Sequence, residues 1–166
     1  LFRSWFIYIP AAWIFFYLKD KQEFYKFCIY LYSGMSICLF ICTIFPNGQD
    51  LRVNLNFNEN FLVRMLRFIY NSDTNTNVFP SIHVFNSIAI HYSLMKSKHI
   101  KKGHWVNIIS LTVMLLICMS TVFLKQHSIL DVVAGTVLAI ILFHIVYDIN
   151  WNKLFTKERK EKMVDL

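Results

Sequence analysis

Charge is scarce along this chain. Asp, Glu, Lys and Arg make up only 16% of its 166 residues, against 56% hydrophobic ones, and the apolar residues run in long blocks rather than short stripes. Such a composition excludes an ordinary water-solvated globule and describes a chain solvated by a bilayer. A glycine-rich phosphate loop, an internal repeat and low-complexity runs are all missing. So are CxxC pairs and any Cys/His spacing suited to a metal: Cys28, Cys38, Cys42 and Cys118 all lie inside apolar blocks and read as small buried hydrophobes.

What is there is hydrophobic length. Four blocks, 1–18, 24–45, 105–124 and 128–149, are long enough to cross the hydrocarbon core, which takes roughly 17 to 25 residues per span. A fifth, 82–95, is shorter and carries His83, Asn86 and His91. A helix facing only lipid would avoid these, because buried polar groups cost free energy unless paired. It is read as a span all the same. The expected fold is therefore all-α, a polytopic transmembrane bundle with five visible spans. The chain starts at Leu1 rather than Met, which leaves room for a sixth span before it. The first block is no convincing signal peptide: Arg3 is its only early charge, it contains Pro10, and no small-residue cleavage site follows Leu18.

The net charge of +7 sits in short segments between the blocks, which suits topology and not nucleic acid. Lys19, Lys21 and Lys26, then Lys96, Lys98, Lys101 and Lys102, then Lys153, Lys157, Arg159, Lys160 and Lys162 fall on one side if five spans alternate. The other side holds Arg52, Arg64, Arg67 and Lys125 over a longer total loop length. The positive-inside rule makes the first side cytoplasmic and turns the 46–80 segment outward. Residues 1–150 are expected to form the membrane domain and 151–166 a charged cytoplasmic tail.

Asn, Asp and Gly punctuate the outward segment at 46–50 and again at 71–77, as loops do. Between them Phe61, Leu62, Met65, Leu66 and Ile69 recur at helical spacing, with Asn60, Arg64, Arg67 and Asn71 on the other face. The pattern predicts an amphipathic helix lying on the membrane surface, its arginines meeting headgroups or solvent.

Three polar clusters flank the spans on this outward side. Phe79-Pro80-Ser81-Ile82-His83 puts a proline where a helix would start and a hydroxyl and an imidazole in the next turn. Free amides there, with the positive end of the helix dipole, favour an anion. Taken alone, the cluster reads better as a capped helix with an ordinary interfacial histidine. In the stretch 120–131, His127 and Asp131 stand four apart. A carboxylate bonded to one ring nitrogen leaves the other free as a nucleophile. An unpaired Asp in an apolar helix would cost about 2.5 to 3.5 kcal/mol at mid-membrane and less near the surface, so a partner is expected. Arg52 is the third candidate, since a guanidinium grips two phosphate oxygens at once.

These residues resemble the membrane-bound type-2 phosphatidic acid phosphatase superfamily, the lipid phosphate phosphatases, which includes phosphotransferases such as inositol phosphorylceramide synthases. The resemblance runs from about Asn47 to Gly135. The family's Pro-Ser-Gly-His motif looks like Pro80-Ser81-Ile82-His83, and its Ser-Arg, five residues, His, three residues, Asp motif matches Ser120, His127 and Asp131. Its Lys, six residues, Arg-Pro motif is similar only at Arg52. Phe45 stands in place of that lysine, Val53 of the proline, Ile82 of the glycine and Thr121 of the arginine. Two phosphate-binding cations are therefore missing, and Lys125 is the candidate to supply one. The resemblance implies that His127 attacks phosphorus, Asp131 orients it and His83 protonates the leaving oxygen. It implies that Arg52, Ser81, the Ile82 amide, Ser120 and Lys125 hold the phosphate, with no metal and no cofactor.

The expectation is thus a lipid phosphatase or phosphotransferase, metal-independent, with a phosphorylated lipid and the bilayer as its partners and no nucleic acid. The competing reading is a non-catalytic relative that binds or transports phosphorylated lipids. Richness in Asn, Ile, Lys and Phe fits an AT-rich bacterial genome, hence an expected bacterial plasma membrane with the site facing outward.

Overall fold

The computed structural model of the protein describes residues 4–53, 60–101 and 103–149. Arg3, Lys102 and the charged tail expected at 151–166 lie outside the described residues. Among the described residues six α-helices follow one another: α1 (Trp5–Lys19), α2 (Lys21–Ile44), α3 (Phe61–Ser72), α4 (Ile82–Lys96), α5 (Trp105–Phe123) and α6 (Ile129–Phe143), the last running on into a π-helical turn (His144–Asp148). No strand forms among the described residues beyond one isolated antiparallel bridge between Gly48 and Thr76. The chain folds as the all-helical membrane bundle that its apolar blocks predict.

Among the described residues three segments are long and apolar enough to cross a bilayer: Lys21–Ile44, Trp105–Phe123 and Ile129–Asp148. Expected spans α1 and α4 have 15 residues each, about 22 Å of rise against a hydrocarbon core of about 30 Å. What α4 does is fill the middle. It packs against α1, α2, α5 and α6, and 10 of its 15 residues are buried. That placement accounts for His91, whereas Asn86, fully buried, has no hydrogen-bond partner for either polar atom of its side chain. His91 Nδ1 lies 3.0 Å from Ser110 Oγ on α5, and the same hydroxyl lies 2.6 Å from the Tyr8 hydroxyl on α1. The outer surface of the bundle is apolar: Ile108, Ile109, Leu115 and Met119 on α5 and Leu130, Val133, Val137 and Ile141 on α6 are exposed. In water that surface would be a liability, and in lipid it is the solvent-matched face.

Two glycines set how closely α4 is gripped. A Cβ on Gly34 of α2 would stand 1.8 Å from Phe85 Cζ, so the buried Phe85 ring occupies the space that a side chain would take. A Cβ on Gly135 of α6 would stand 2.8 Å from the Ser81 carbonyl oxygen, which is backbone and has little freedom to give way. Tyr30 adds a bond from α2 to α6, its hydroxyl donating to the Ala139 carbonyl at 2.7 Å.

The bundle has two unlike ends. At one, Asp20 ends α1 and caps α2, its carboxylate accepting from the Gln22 and Glu23 amides at 2.7 and 3.2 Å. Lys98, after α4, donates to Asp20, and this bond holds the Asp20 carboxyl down at about 2. Glu23 accepts from Ser97 Oγ at 2.6 Å and from the Lys98 amide at 3.1 Å, and Lys96 pairs with Asp148 at 3.2 Å. The other end gathers the N-termini of α1, α4 and α6 and the C-termini of α2 and α5. The amphipathic α3 belongs to the long loop on this side. None of its residues is buried, and Phe61, Leu62, Met65 and Phe68 leave one face apolar and exposed, as an interfacial helix requires.

Candidate functional site

The long loop returns to the bundle through one side chain. Asn47 Oδ1 accepts from the Val78 and Phe79 amides at 2.8 and 2.9 Å, while Nδ2 donates to the carbonyls of Phe45 and Phe79 at 3.0 and 3.3 Å. The Gly48–Thr76 bridge continues this clip. The Phe79–Pro80 peptide is cis, and the chain then enters α4. The expectation that Pro80 takes the first helical position is corrected here: Ser81 is the N-cap, its Oγ accepting from the Val84 amide at 3.4 Å, and Pro80 precedes the cap. A hydroxyl that satisfies an orphan amide outcompetes a proline that merely lacks one. The Ser81 amide in turn donates to the Asp131 carbonyl at 3.2 Å, which fastens the start of α4 to the first turn of α6.

That backbone bond sets His83 opposite His127. His83 Nδ1 and His127 Nε2 lie 3.4 Å apart, and the indole of Trp5 rests on the His83 ring from α1 with centroids 4.9 Å apart. His127 sits in the α5–α6 turn, where its amide and that of Gln126 both donate to the Thr121 carbonyl at 3.1 and 2.9 Å. Lys125 makes the turn possible by adopting a left-handed backbone, φ 55°. Helix α6 begins two residues beyond His127, with Ser128 as N-cap. Asp131 completes a capping box, its Oδ2 accepting from the Ser128 amide at 2.7 Å. The same Oδ2 stands 3.6 Å from His127 Nδ1. This is an ion-pair distance slightly too long for a hydrogen bond, and His127 Nδ1 is accordingly buried without a hydrogen-bond partner. The carboxylate has only acceptors to offer, so it favours the tautomer with hydrogen on Nδ1 and a lone pair on Nε2.

Burial, first of all, pushes the His127 pKa below its ordinary value, against the opposing pull of Asp131 and Asp73. The ring is therefore neutral at physiological pH. Asp73, in the long loop, is pulled the opposite way: burial raises its pKa while His127 and Arg52 draw it down.

Arg52 is brought to the same place by three carbonyl-type acceptors. Its Nη1 donates to the Tyr70 carbonyl at 2.8 Å, and its Nη2 to the Asp73 carbonyl and to Gln126 Oε1, the latter at 2.8 Å. The guanidinium also lies over the Tyr70 ring, 4.8 Å from its centroid. Gln49 Nε2 donates to the Gln126 carbonyl, so both Gln49 and Arg52 hold residue 126. Arg52 Nε and Gln126 Nε2 are buried with no partner, a state that costs about 1–3 kcal/mol per group unless something fills it.

The structure thus joins Arg52, Ser81, Ile82, His83, His127 and Asp131 at one end of the bundle. Two other sequence candidates sit differently. The Ser120 hydroxyl is buried and donates to the Ile117 carbonyl of its own helix at 2.7 Å. Lys125 is exposed, and its ammonium makes no ion pair with a described residue. Sequence reasoning missed Gln126, Asp73, Asn47 and Trp5. Gln126 stands beside the matched histidine and Asp73 within the loop punctuation, but nothing in their spacing marks them as neighbours of Arg52. Among the described residues no three His, Cys, Asp or Glu side chains gather as a metal site would.

Among the described residues, two cavities border neighbours of the histidines without touching either imidazole. One, of about 290 Å³, is polar at its rim and touches Asn47, Gln49, Asp50, Ser128 and Asp131. The other is an apolar groove of about 480 Å³ on the lipid-facing side, bounded by Ile41, Phe79, Pro80, Leu130, Val133 and Val137. A smaller cavity of about 160 Å³, among Glu23, Lys26, Lys96 and Tyr147, lies at the far end of α4, away from this chemistry.

Comparison with known proteins finds a match to the family model of the PAP2 superfamily over residues 54–155. The match takes in α3 to α6, with both histidines and Asp131, and begins just after Arg52. No curated protein and no solved structure matches the chain.

Proposed function

The chain belongs to the PAP2 superfamily, and from that premise we propose that it is a lipid phosphatase or phosphotransferase working through a phosphohistidine on His127. Membership itself carries phosphatase or phosphotransferase chemistry on a phosphorylated substrate, in a membrane-embedded protein. The observation that supports the finer reading is the line Asp131–His127–His83, with a carboxylate at one ring nitrogen and a second imidazole 3.4 Å from the other.

In the first step the Nε2 lone pair of His127 attacks phosphorus, the bond from phosphorus to the leaving oxygen breaks, and His83 gives that oxygen a proton. Asp131 steadies the positive charge that the phosphorylated ring acquires. In the second step water or an acceptor hydroxyl attacks phosphorus, His83 takes its proton back, and His127 leaves as the neutral imidazole. The Arg52 guanidinium, the Ser81 hydroxyl, which still has its proton to donate, and the Ile82 amide at the start of α4 are the donors for the equatorial oxygens. Lys125 belongs to the rim as a charge that draws anions in. The 3.4 Å between the two histidines is too short to hold a phosphoryl group in line, so substrate has to part the rings.

The apolar groove reaching Pro80 and Leu130, each next to a site residue, supports a lipid substrate whose chain lies there while its phosphate meets His127. The charge pattern supports a site on the outward face, since Lys19, Lys21, Lys26, Lys96 and Lys98 surround the opposite end.

The test is phosphate release from a panel of lipid phosphates by detergent-purified protein, with quenched aliquots assayed for phosphohistidine. Wild type is expected to release phosphate and carry label, and His127→Ala to do neither. A wild type that neither releases phosphate nor takes label from any donor would leave the non-catalytic lipid-binding reading in its place.

A further inference from the structure

One phosphate-binding group of the resembling family has no counterpart at its own position. Thr121 stands there, buried, with its hydroxyl donating to the Cys118 carbonyl at 2.7 Å. The Thr121 carbonyl, however, positions a different side chain, because it holds the amides of Gln126 and His127 together. Gln126 is only 1% exposed. Its Oε1 accepts from Arg52 Nη2 at 2.8 Å, and a guanidinium has donors only, so this contact fixes which end of the amide faces Arg52. The Nε2 end must point elsewhere, and there it is shielded from solvent with no partner. Arg52 Nε shares that condition. Two buried N–H donors in contacting residues, with no acceptor of their own, define a place for an anion rich in oxygens.

We propose that Gln126 Nε2 binds a nonbridging oxygen of the phosphoryl group, beside Arg52 Nε, and so fills the role that Thr121 vacates. The reading rests on the site being one of phosphoryl transfer and adds the residue that completes its clamp. Arg52 then has two tasks: its Nη2 aligns the Gln126 amide and its Nε meets the anion directly. Gln49, bonded to the Gln126 carbonyl, keeps the residue from swinging out with the turn. Because the donor is a neutral amide, the clamp gains a hydrogen bond without adding positive charge beside the imidazolium that forms on His127.

The discriminating variant is Gln126→Glu. It keeps an oxygen for Arg52 to bond, and hence any purely structural role, but puts an acceptor where the NH₂ donor was. The probe is orthovanadate, a tetrahedral oxyanion, with affinity read from protection of the full-length protein against thermal unfolding and from inhibition of phosphate release. Wild type is expected to bind vanadate. Gln126→Glu is expected to unfold at the wild-type temperature without vanadate and to bind it at least ~10-fold more weakly, a loss of about 1.4 kcal/mol. Gln126→Met, similar in length and without either polar atom, should lose affinity to a similar extent should the glutamate variant fail to fold. A folded variant that binds vanadate within twofold of wild type overturns the assignment of Gln126 alone, provided wild type binds and turns over. A wild type that neither binds vanadate nor releases phosphate overturns the assignment together with the reading beneath it.

Discussion

In the proposed mechanism His127 attacks only while neutral, and burial works in its favour. An unfolded chain takes up a proton at this residue as pH falls through about 6.5, the ordinary histidine value, whereas the folded chain resists until lower pH. Between those two points the unfolded state binds more protons, so stability falls with falling pH in that window, and reactivity falls below it. The acid limb of the rate profile is therefore expected below 6.5. Asp131 raises the His127 pKa, so Asp131→Asn should move that limb to still lower pH while reducing the maximal rate, as a pH series of phosphate release will report. A limb that stays put in the variant would separate Asp131 from His127. At this scale the sequence was readable where residue type and spacing are local: the proximity of His127 to Asp131 follows from their standing four apart, and His83 is brought to them by the turn that Pro80 and Ser81 begin. Gln126 and Asp73 are not legible, since an amide or carboxylate in a loop becomes informative only once folding puts Arg52 beside it.

Helices α2, α5 and α6 could be placed from their apolar blocks to within a few residues, because nothing else such long runs can do in a bilayer satisfies the backbone. The surface helix α3 was legible from its periodicity. The inward polar stripe of α4 was visible only as an anomaly, since which neighbours cover Asn86 and His91 depends on packing and not on the helix's own sequence. The contact of α4 with α6 is the one on which geometry at the histidines depends. Gly135→Ala puts a methyl group 2.8 Å from the Ser81 carbonyl oxygen, and overpacking of this kind typically costs about 1–3 kcal/mol. The first turn of α6 should shift away from α4, carrying Asp131 and its bond to the Ser81 amide with it. Retained helicity by circular dichroism with phosphate release reduced ~10-fold or more is the expected result. Unchanged release would show that the two helix starts need not meet so closely.

Across the whole molecule, a central helix is shared by every neighbour, one end is tied by ion pairs and the other by amides and backbone. The fold class was legible from composition and block length, whereas the convergence of five helix ends on one site was not, since it follows from α4 occupying the centre. Helix α1 is the member farthest in sequence from the His127 turn, yet it delivers Trp5 onto the His83 ring. Trp13 and Trp105 are exposed on the bundle's outside, so Trp5 alone among the described tryptophans sits beside the histidine pair. An imidazolium in contact with an excited indole accepts an electron from it and dims its emission. The protein therefore carries its own lamp at the site: fluorescence should change when vanadate spreads the two imidazoles, and Trp5→Phe should abolish that response, leaving in acid the quenching of Trp105 by His104, whose ring lies 5.3 Å away.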